Sequence, residues 1–217
     1  MPPRSEQSPD RRRAVRSDAL FNREKILTAA ADTLAARGPN VPMAEIAQAA
    51  GVGVGTLYRG FPDRTALMHA LEHRAYELLI EVLARIAENG RTGADAVEEF
   101  LFENLELGDQ LVLPLRGAPP LTDPTAVAAR QQINDALERF LDEGRTAGTV
   151  CSEVNATDVI MCGAMATQPV PHGPTWSVVA KRHIVLFMSG VRTLAEPLPG
   201  PAVTSRDIET HFTNLTP

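Results

Sequence analysis

Apolar residues recur at steps of three and four along much of the chain, the spacing of one face of an α-helix. Over 18–37 the set is Ile26, Leu27, Ala30 and Leu34, and Gly38-Pro39 stops the helix. Two short helical patterns follow, over 43–50 and 53–60, with Gly51 between them. Asp63 is a good N-cap for a helix from 63 to about 88, with Leu67, Leu71, Leu78, Leu79, Val82, Leu83 and Ile86 along one side. At 1.5 Å per residue such a helix is roughly 40 Å long, enough to connect two domains. Further helices are predicted over 94–112, 125–146, 156–167 and 175–195. A break containing Pro114, Pro119, Pro120 and Pro124 separates the first two of these, and the loop PVPHGP at 169–174 separates the last two. Alanine is abundant and β-branched runs are few, so the fold is predicted to be all-α. Residues 198–217 are Pro-rich and read as a loose tail.

Charge divides the chain. The net charge is −6, but residues 1–64 hold ten basic and seven acidic side chains, and the rest is strongly acidic. A basic front and an acidic rear point to different partners for the two parts. Residues 1–17, with three prolines and the run Arg11-Arg12-Arg13, read as a disordered arm that is either solvated or in contact with DNA phosphate or a minor groove. No apolar stretch reaches the roughly 20 residues that span a bilayer, and no secretory signal is visible, which places the protein in the cytoplasm with no membrane partner. Cys151 and Cys162, the only cysteines, form no metal-binding spacing and read as small packed residues or, less simply, as redox sensors. The sequons at 155–157 and 214–216 carry no meaning without secretion.

The stretch EIAQAAGVGVGTLYRGF, 45–61, poses the sharpest question, since glycine weakens a helix by about 1 kcal/mol relative to Ala. Gly51 suits a left-handed turn, and Ala47 permits a close helix crossing, with Ile46, Ala50, Val52 and Leu57 packed between the two helices. That is a helix-turn-helix, although a small-residue hairpin within a helical bundle fits the same spacing. In the first reading Gly53 and Gly55 bare the backbone N–H groups at the start of the second helix to phosphate. Thr56 and Tyr58 offer hydroxyls to phosphate, Val54 meets a thymine methyl, and Arg59 reads guanine or binds phosphate. No strand precedes the glycines and no Gly-Lys-Ser/Thr follows, so a nucleotide-phosphate loop is disfavoured.

The runs NREKILTAAADTLAARG and VPMAEIAQAAGVGVGTLYRGFPDRTAL, 22–38 and 41–67, resemble the N-terminal domain of the tetracycline-repressor (TetR) family. Ile26-Leu27, Ala30, Gly38, Ile46-Ala47, Ala50-Gly51-Val52, Thr56-Leu57-Tyr58, Phe61 and Leu67 carry the likeness, and AKRHIVLFMSGVRTLAEPLPG is similar to the last helix of many members. The resemblance implies a three-helix DNA-binding domain over 18–64 joined to a helical effector-binding and dimerisation domain over 65–197. It implies a homodimer held by its last two long helices, and a small-molecule effector whose binding moves the connecting helix. Double-stranded DNA with a palindromic operator is the implied partner. In the family the residues matching Gly53, Val54, Gly55, Thr56, Tyr58 and Arg59 face DNA, and the one matching Arg64 commonly meets phosphate. Two departures stand out: Val41-Pro42 replaces a capping Thr, and Gly60 replaces an aromatic or His before Phe61-Pro62.

The expected function is therefore a ligand-responsive transcriptional repressor, with a vestigial DNA head on an interaction module, or an activator or effector-independent regulator, as the alternatives. Phe100, Phe102, Leu105, Met161, Met165, Trp176 and Phe187 are candidates to line an apolar ligand cavity, though such residues are more often plain core. His172 reads as a gate or a solvated side chain, and His183 as a core or interface histidine. The acidic rear would favour a cationic ligand or form solvated faces. No catalytic serine motif, metal set or cofactor loop is present, so neither enzyme chemistry nor a cofactor is expected.

Overall fold

The computed structural model describes residues 9–113, 120–167 and 175–215, all of them helix or connecting segment, with no strand among them. The chain divides into two compact units, Met1–Ala70 and Leu71–Pro217. That boundary falls six residues beyond the 64 expected from the sequence.

In the first unit α1 is Pro9–Arg37, α2 Met43–Ala49 and α3 Val54–Gly60. Helix α1 begins well before the expected Asp18. Pro9 suits a first helical position, and no Gly or Pro interrupts residues 10–37, so most of the expected disordered arm is helical. Residues 1–8 of that arm lie outside the described residues. Gly38, at φ 86°, ends α1 by returning its N–H to Leu34 O at 2.8 Å. Ile26, Leu27, Ala30, Ala31, Val41, Ile46, Ala47, Ala50, Leu57, Phe61 and Leu67 are buried together in the head. Arg23 lies over the Phe61 ring at 4.7 Å, a cation–π contact that closes α1 onto the end of α3.

The connecting helix α4, Arg64–Glu88, starts as expected: Asp63 Oδ1 accepts from the Ala66 N–H at 2.7 Å. In the second unit α5 is Gly93–Leu107, α6 Pro124–Ala147, α7 Ala156–Ala166, α8 Trp176–Arg192 and α9 Ser205–Leu215. Helix α5 packs against α6, α7 and α8; α6 also packs against α7 and α9. Helix α5 ends five residues short of expectation because Gly108, at φ 38°, turns the chain into a single 3-10 turn. Asp123 caps α6 on the Thr125 and Ala126 N–H groups, and Asn155 with Asp158 forms a capping box on α7.

The last element corrects the sequence reading. Residues 205–215 are not a loose tail but a helix whose Phe212 is buried. The signal was present: Asp207 accepts hydrogen bonds from the Thr204 N–H and hydroxyl, ahead of Ile208 and Phe212 one turn apart. The prolines at 197, 199 and 201 masked it. No helix among the described residues is long and apolar enough to cross a membrane.

Candidate nucleic-acid interface

The turn between α2 and α3 is built by one glycine. Gly51 adopts φ 62°, and its N–H reaches Gln48 O at 3.0 Å while Val52 N–H reaches Ala47 O at 3.0 Å. Any side chain there would be strained by that φ and would press on Lys25 Nζ at 3.3 Å. Ala47 and Leu57 are fully buried, so the two helices meet on their small and aliphatic faces.

The opposite face of α3 is bare. Val54 is 43% exposed and Tyr58 47%; Gly53, Gly55, Arg59 and Gly60 are exposed, and Thr56 is half-buried. Tyr58 and Arg59 have no hydrogen bond or ion pair within the chain among the described residues. Gly53 is the N-cap of α3 and supplies no side-chain cap. A Cβ on Gly55 would meet nothing within 4 Å, nor would one on Gly60. No packing requirement inside the head calls for glycine at either position. What these glycines provide is uncovered backbone on the exposed side of the helix.

Arg64 sits differently from the other six predicted DNA-facing residues. Its Nη1 donates to Val41 O at 2.6 Å and its Nη2 donates to Pro39 O. Two of its donors therefore pin the α1–α2 loop, and only the remainder of the fork is left for a phosphate. Pro42 is the N-cap of α2 and offers no side-chain capping bond, as the missing hydroxyl implied.

A family model described as "Bacterial regulatory proteins, tetR family" matches residues 26–71, which hold α2, the turn and α3. Residues 26–71 therefore carry the N-terminal domain of the tetR family. An HTH-type transcriptional regulator of Staphylococcus aureus is 41% identical over 81 residues, 36% of this chain and 42% of that relative. The chain thus spans less than half of that protein. The HTH-type transcriptional repressor LfrR of Mycolicibacterium smegmatis is 26% identical over 61% of this chain and 70% of its own length. A solved TetR transcriptional regulator from Streptomyces coelicolor is 28% identical, covering 80% of this chain and 99% of that one, with a TM-score of 0.60. LfrR solved in complex with proflavine superposes with a TM-score of 0.56 over 82% of this chain and 99% of that one. The relatives and solved structures that the chain resembles are named transcriptional regulators.

The second unit contains a cavity of about 120 Å³. Its walls are apolar, from Leu79, Phe100, Leu111, Ile133, Ile160 and Met161, with Tyr76, Asn104, Arg130, Asn134 and Glu209 supplying polar groups. Of the seven residues proposed from sequence, only Phe100 and Met161 line it. Phe102 and Leu105 follow Phe100 at offsets that turn them off the cavity side of α5, and both pack half-buried against the core. Met165 is 58% exposed. Trp176 and Phe187 pack against the core, and the Trp176 Nε1–H donates to Ala166 O at 3.2 Å. His172 lies outside the described residues. His183 is exposed, and among the described residues its ring bonds its own helix, at Val179 O.

Sequence reasoning missed the cavity's polar centre, because its members lie on α4, α6 and α9. Arg130 Nε and Nη2 grip both oxygens of Glu209 at 2.5 and 2.7 Å, and Nη1 donates to Tyr76 Oη at 3.2 Å and Leu121 O at 3.0 Å. Glu72, almost wholly buried, accepts from Tyr76 Oη at 2.7 Å and from the Leu121 N–H at 3.2 Å. Burial pushes the Glu72 carboxyl above the usual carboxylate range, against the lowering pull of those two donors and of the Arg130 charge. Cys162, also buried, has its thiol pushed up to about 11, which leaves it a poor nucleophile.

Proposed function

We propose that this regulator is a homodimeric repressor that reads a palindromic operator through α3 and is released when a small molecule binds the cavity of the second unit. The observation that carries the DNA part is the bare face of α3, where Val54, Tyr58 and Arg59 project without partners among the described residues beside the uncovered backbone of Gly53 and Gly55. Arg64 adds at most a partial phosphate contact, since two of its donors are engaged. Two copies of α3 set about 34 Å apart would enter successive major grooves on one side of the duplex.

Dimerisation is supported by the outer face of α7 and α8. Met165, Val178, Val185 and Leu186 are half or more exposed there, an apolar strip that a second copy would cover. Effector binding is supported by the mainly apolar cavity with a few convergent polar groups, the usual composition of a small-molecule site. LfrR, a relative named a repressor and solved with proflavine, is consistent with both halves of the reading. An effector shifts the equilibrium only by its differential affinity for the bound and released conformations.

The test is fluorescence anisotropy of the full chain with DNA from its own upstream region, against scrambled DNA of equal length, at two salt concentrations. Preferential binding that weakens steeply with salt is the expected result. Equal weak binding to both DNAs directs the search to other operators. No binding from a folded dimer at either salt overturns the repressor reading in favour of a head without DNA function.

A further inference from the structure

The cavity is small for an effector. Ligand sites of drug-like molecules hold about 300–1,000 Å³, and a cavity near 150 Å³ takes a single aromatic ring. At about 120 Å³ this one falls short of that, and one of its walls is the chain's own last helix. Ser205, Ile208, Glu209 and Phe212 fall at offsets of three, four and seven along α9 and together form one wall. Helix α9 follows twelve residues of non-helical chain with three prolines, and it packs chiefly on α6. Among the described residues its one ion pair to the rest of the unit is Glu209 with Arg130.

The chemistry of that joint specifies what could replace α9. Arg130 is 13% exposed, and its Nη1 is fixed from behind by Tyr76 Oη and Leu121 O. Its other edge, Nε and Nη2, faces α9 as a planar fork and is filled by both oxygens of a carboxylate. One turn on, the Phe212 ring lies 5.3 Å from the guanidinium carbon, and Phe212 is buried. A carboxylate with an apolar ring beside it is thus already bound at the cavity, supplied by the chain itself. With α9 withdrawn, the fixed charges left there are Arg130 and Glu72. Glu72 Oε1 already accepts from Tyr76 and Leu121, whereas the Arg130 fork is empty of any acceptor.

We propose that α9 is an internal stand-in for the effector, with Glu209 and Phe212 occupying the places of a ligand's carboxylate and apolar body, and that the effector is an aryl or alkyl carboxylate that displaces α9 from Arg130. This rests on the reading of the cavity as the effector site. It runs against the cationic ligand that the acidic rear of the chain suggested.

The test uses the full chain, with 2-naphthoate as probe and 2-naphthamide and proflavine as neutral and cationic controls. Affinity is measured by calorimetry and the freedom of α9 by hydrogen exchange of the amides of 205–215. Naphthoate should bind and speed exchange in α9, and the amide should bind about tenfold more weakly. E209Q, checked for an unchanged melting transition, should bind naphthoate about tenfold more tightly, because apparent affinity is reduced by the fraction of molecules in which the site is filled from within. Arg130→Lys, which keeps the charge and loses the fork, should weaken binding at least tenfold. Unchanged affinity in E209Q, equal or better binding of the amide or proflavine, or undiminished α9 protection in the complex would each overturn the proposal. So would the absence of naphthoate binding to E209Q. Operator release is scored separately. Naphthoate that displaces α9 without releasing DNA supports this assignment and strikes the effector reading, whereas release by proflavine with α9 in place supports that reading and overturns this assignment.

Discussion

The head and the second unit use the same residue types for opposite reasons. In the head, a Cβ on Gly55 or Gly60 would meet open space, and Tyr58 and Arg59 project with no hydrogen-bond or ion-pair partner among the described residues. In the second unit a Cβ on Gly144 would lie 2.4 Å from Val150 Cγ2 and 3.0 Å from Gly93 Cα, and one on Gly163 would lie 2.2 Å from Asn104 Nδ2. There the glycines exist because helices press together. The arginines divide in the same way: Arg59 is exposed and unmatched, while Arg130 is enclosed with its donors on Glu209, Tyr76 and Leu121. A surface that leaves its polar groups unmatched and its backbone uncovered is incomplete without a partner. The Arg130 site is matched from within the chain, and a ligand enters it only by replacing something.

Gly144→Ala should break the comparison most severely. The added methyl overpacks the contact of α6 with Gly93 and Val150 and should cost about 2–3 kcal/mol in urea unfolding, with DNA affinity per folded molecule unchanged. Arg59→Ala should do the reverse. Operator affinity should fall by about 1–2 kcal/mol in anisotropy while the unfolding midpoint stays put, and a loss of one phosphate contact would reduce the salt slope by about one. If Arg59→Ala instead destabilises the fold, the side chain has an internal role and the contrast fails.

Gly55→Ala sharpens the point, because the two effects should separate in one variant. Helix propensity should raise stability by about 0.5–1 kcal/mol, and the new methyl on the bare face should lower operator affinity. A variant that is both more stable and equally tight would remove the case for backbone approach at α3.

The smallest effect concerns Glu72. Its carboxyl is held above the ordinary range by burial, so the folded chain binds that proton more tightly than the unfolded chain does. The resulting stability is present at acid pH and is lost as the pH rises through the raised value. Glu72→Gln removes that loss, and its stability measured by urea unfolding should depend less on pH from the acid range to neutrality than the parent's.

Sequence alone determined the head and most helix positions. The period of three and four, Gly38 after α1, Gly51 in the turn and Asp63 before α4 are local signals, and local geometry follows from them directly. The exposed residues of α3 were legible for the same reason, since a seven-residue helix with Leu57 buried has its outer face fixed by the helical period. Tertiary structure decided the rest. It turned Arg64 onto the carbonyls of Pro39 and Val41, 25 and 23 residues away, where no periodicity could place it. It left only Phe100 and Met161 of the seven proposed cavity residues in the cavity, because hydrophobicity marks what is buried but not which neighbour it is buried against. Only the folded unit joins Glu72, Arg130 and Glu209, on helices far apart in the chain, into one site, and only there does a Pro-shadowed tail become the wall of a cavity.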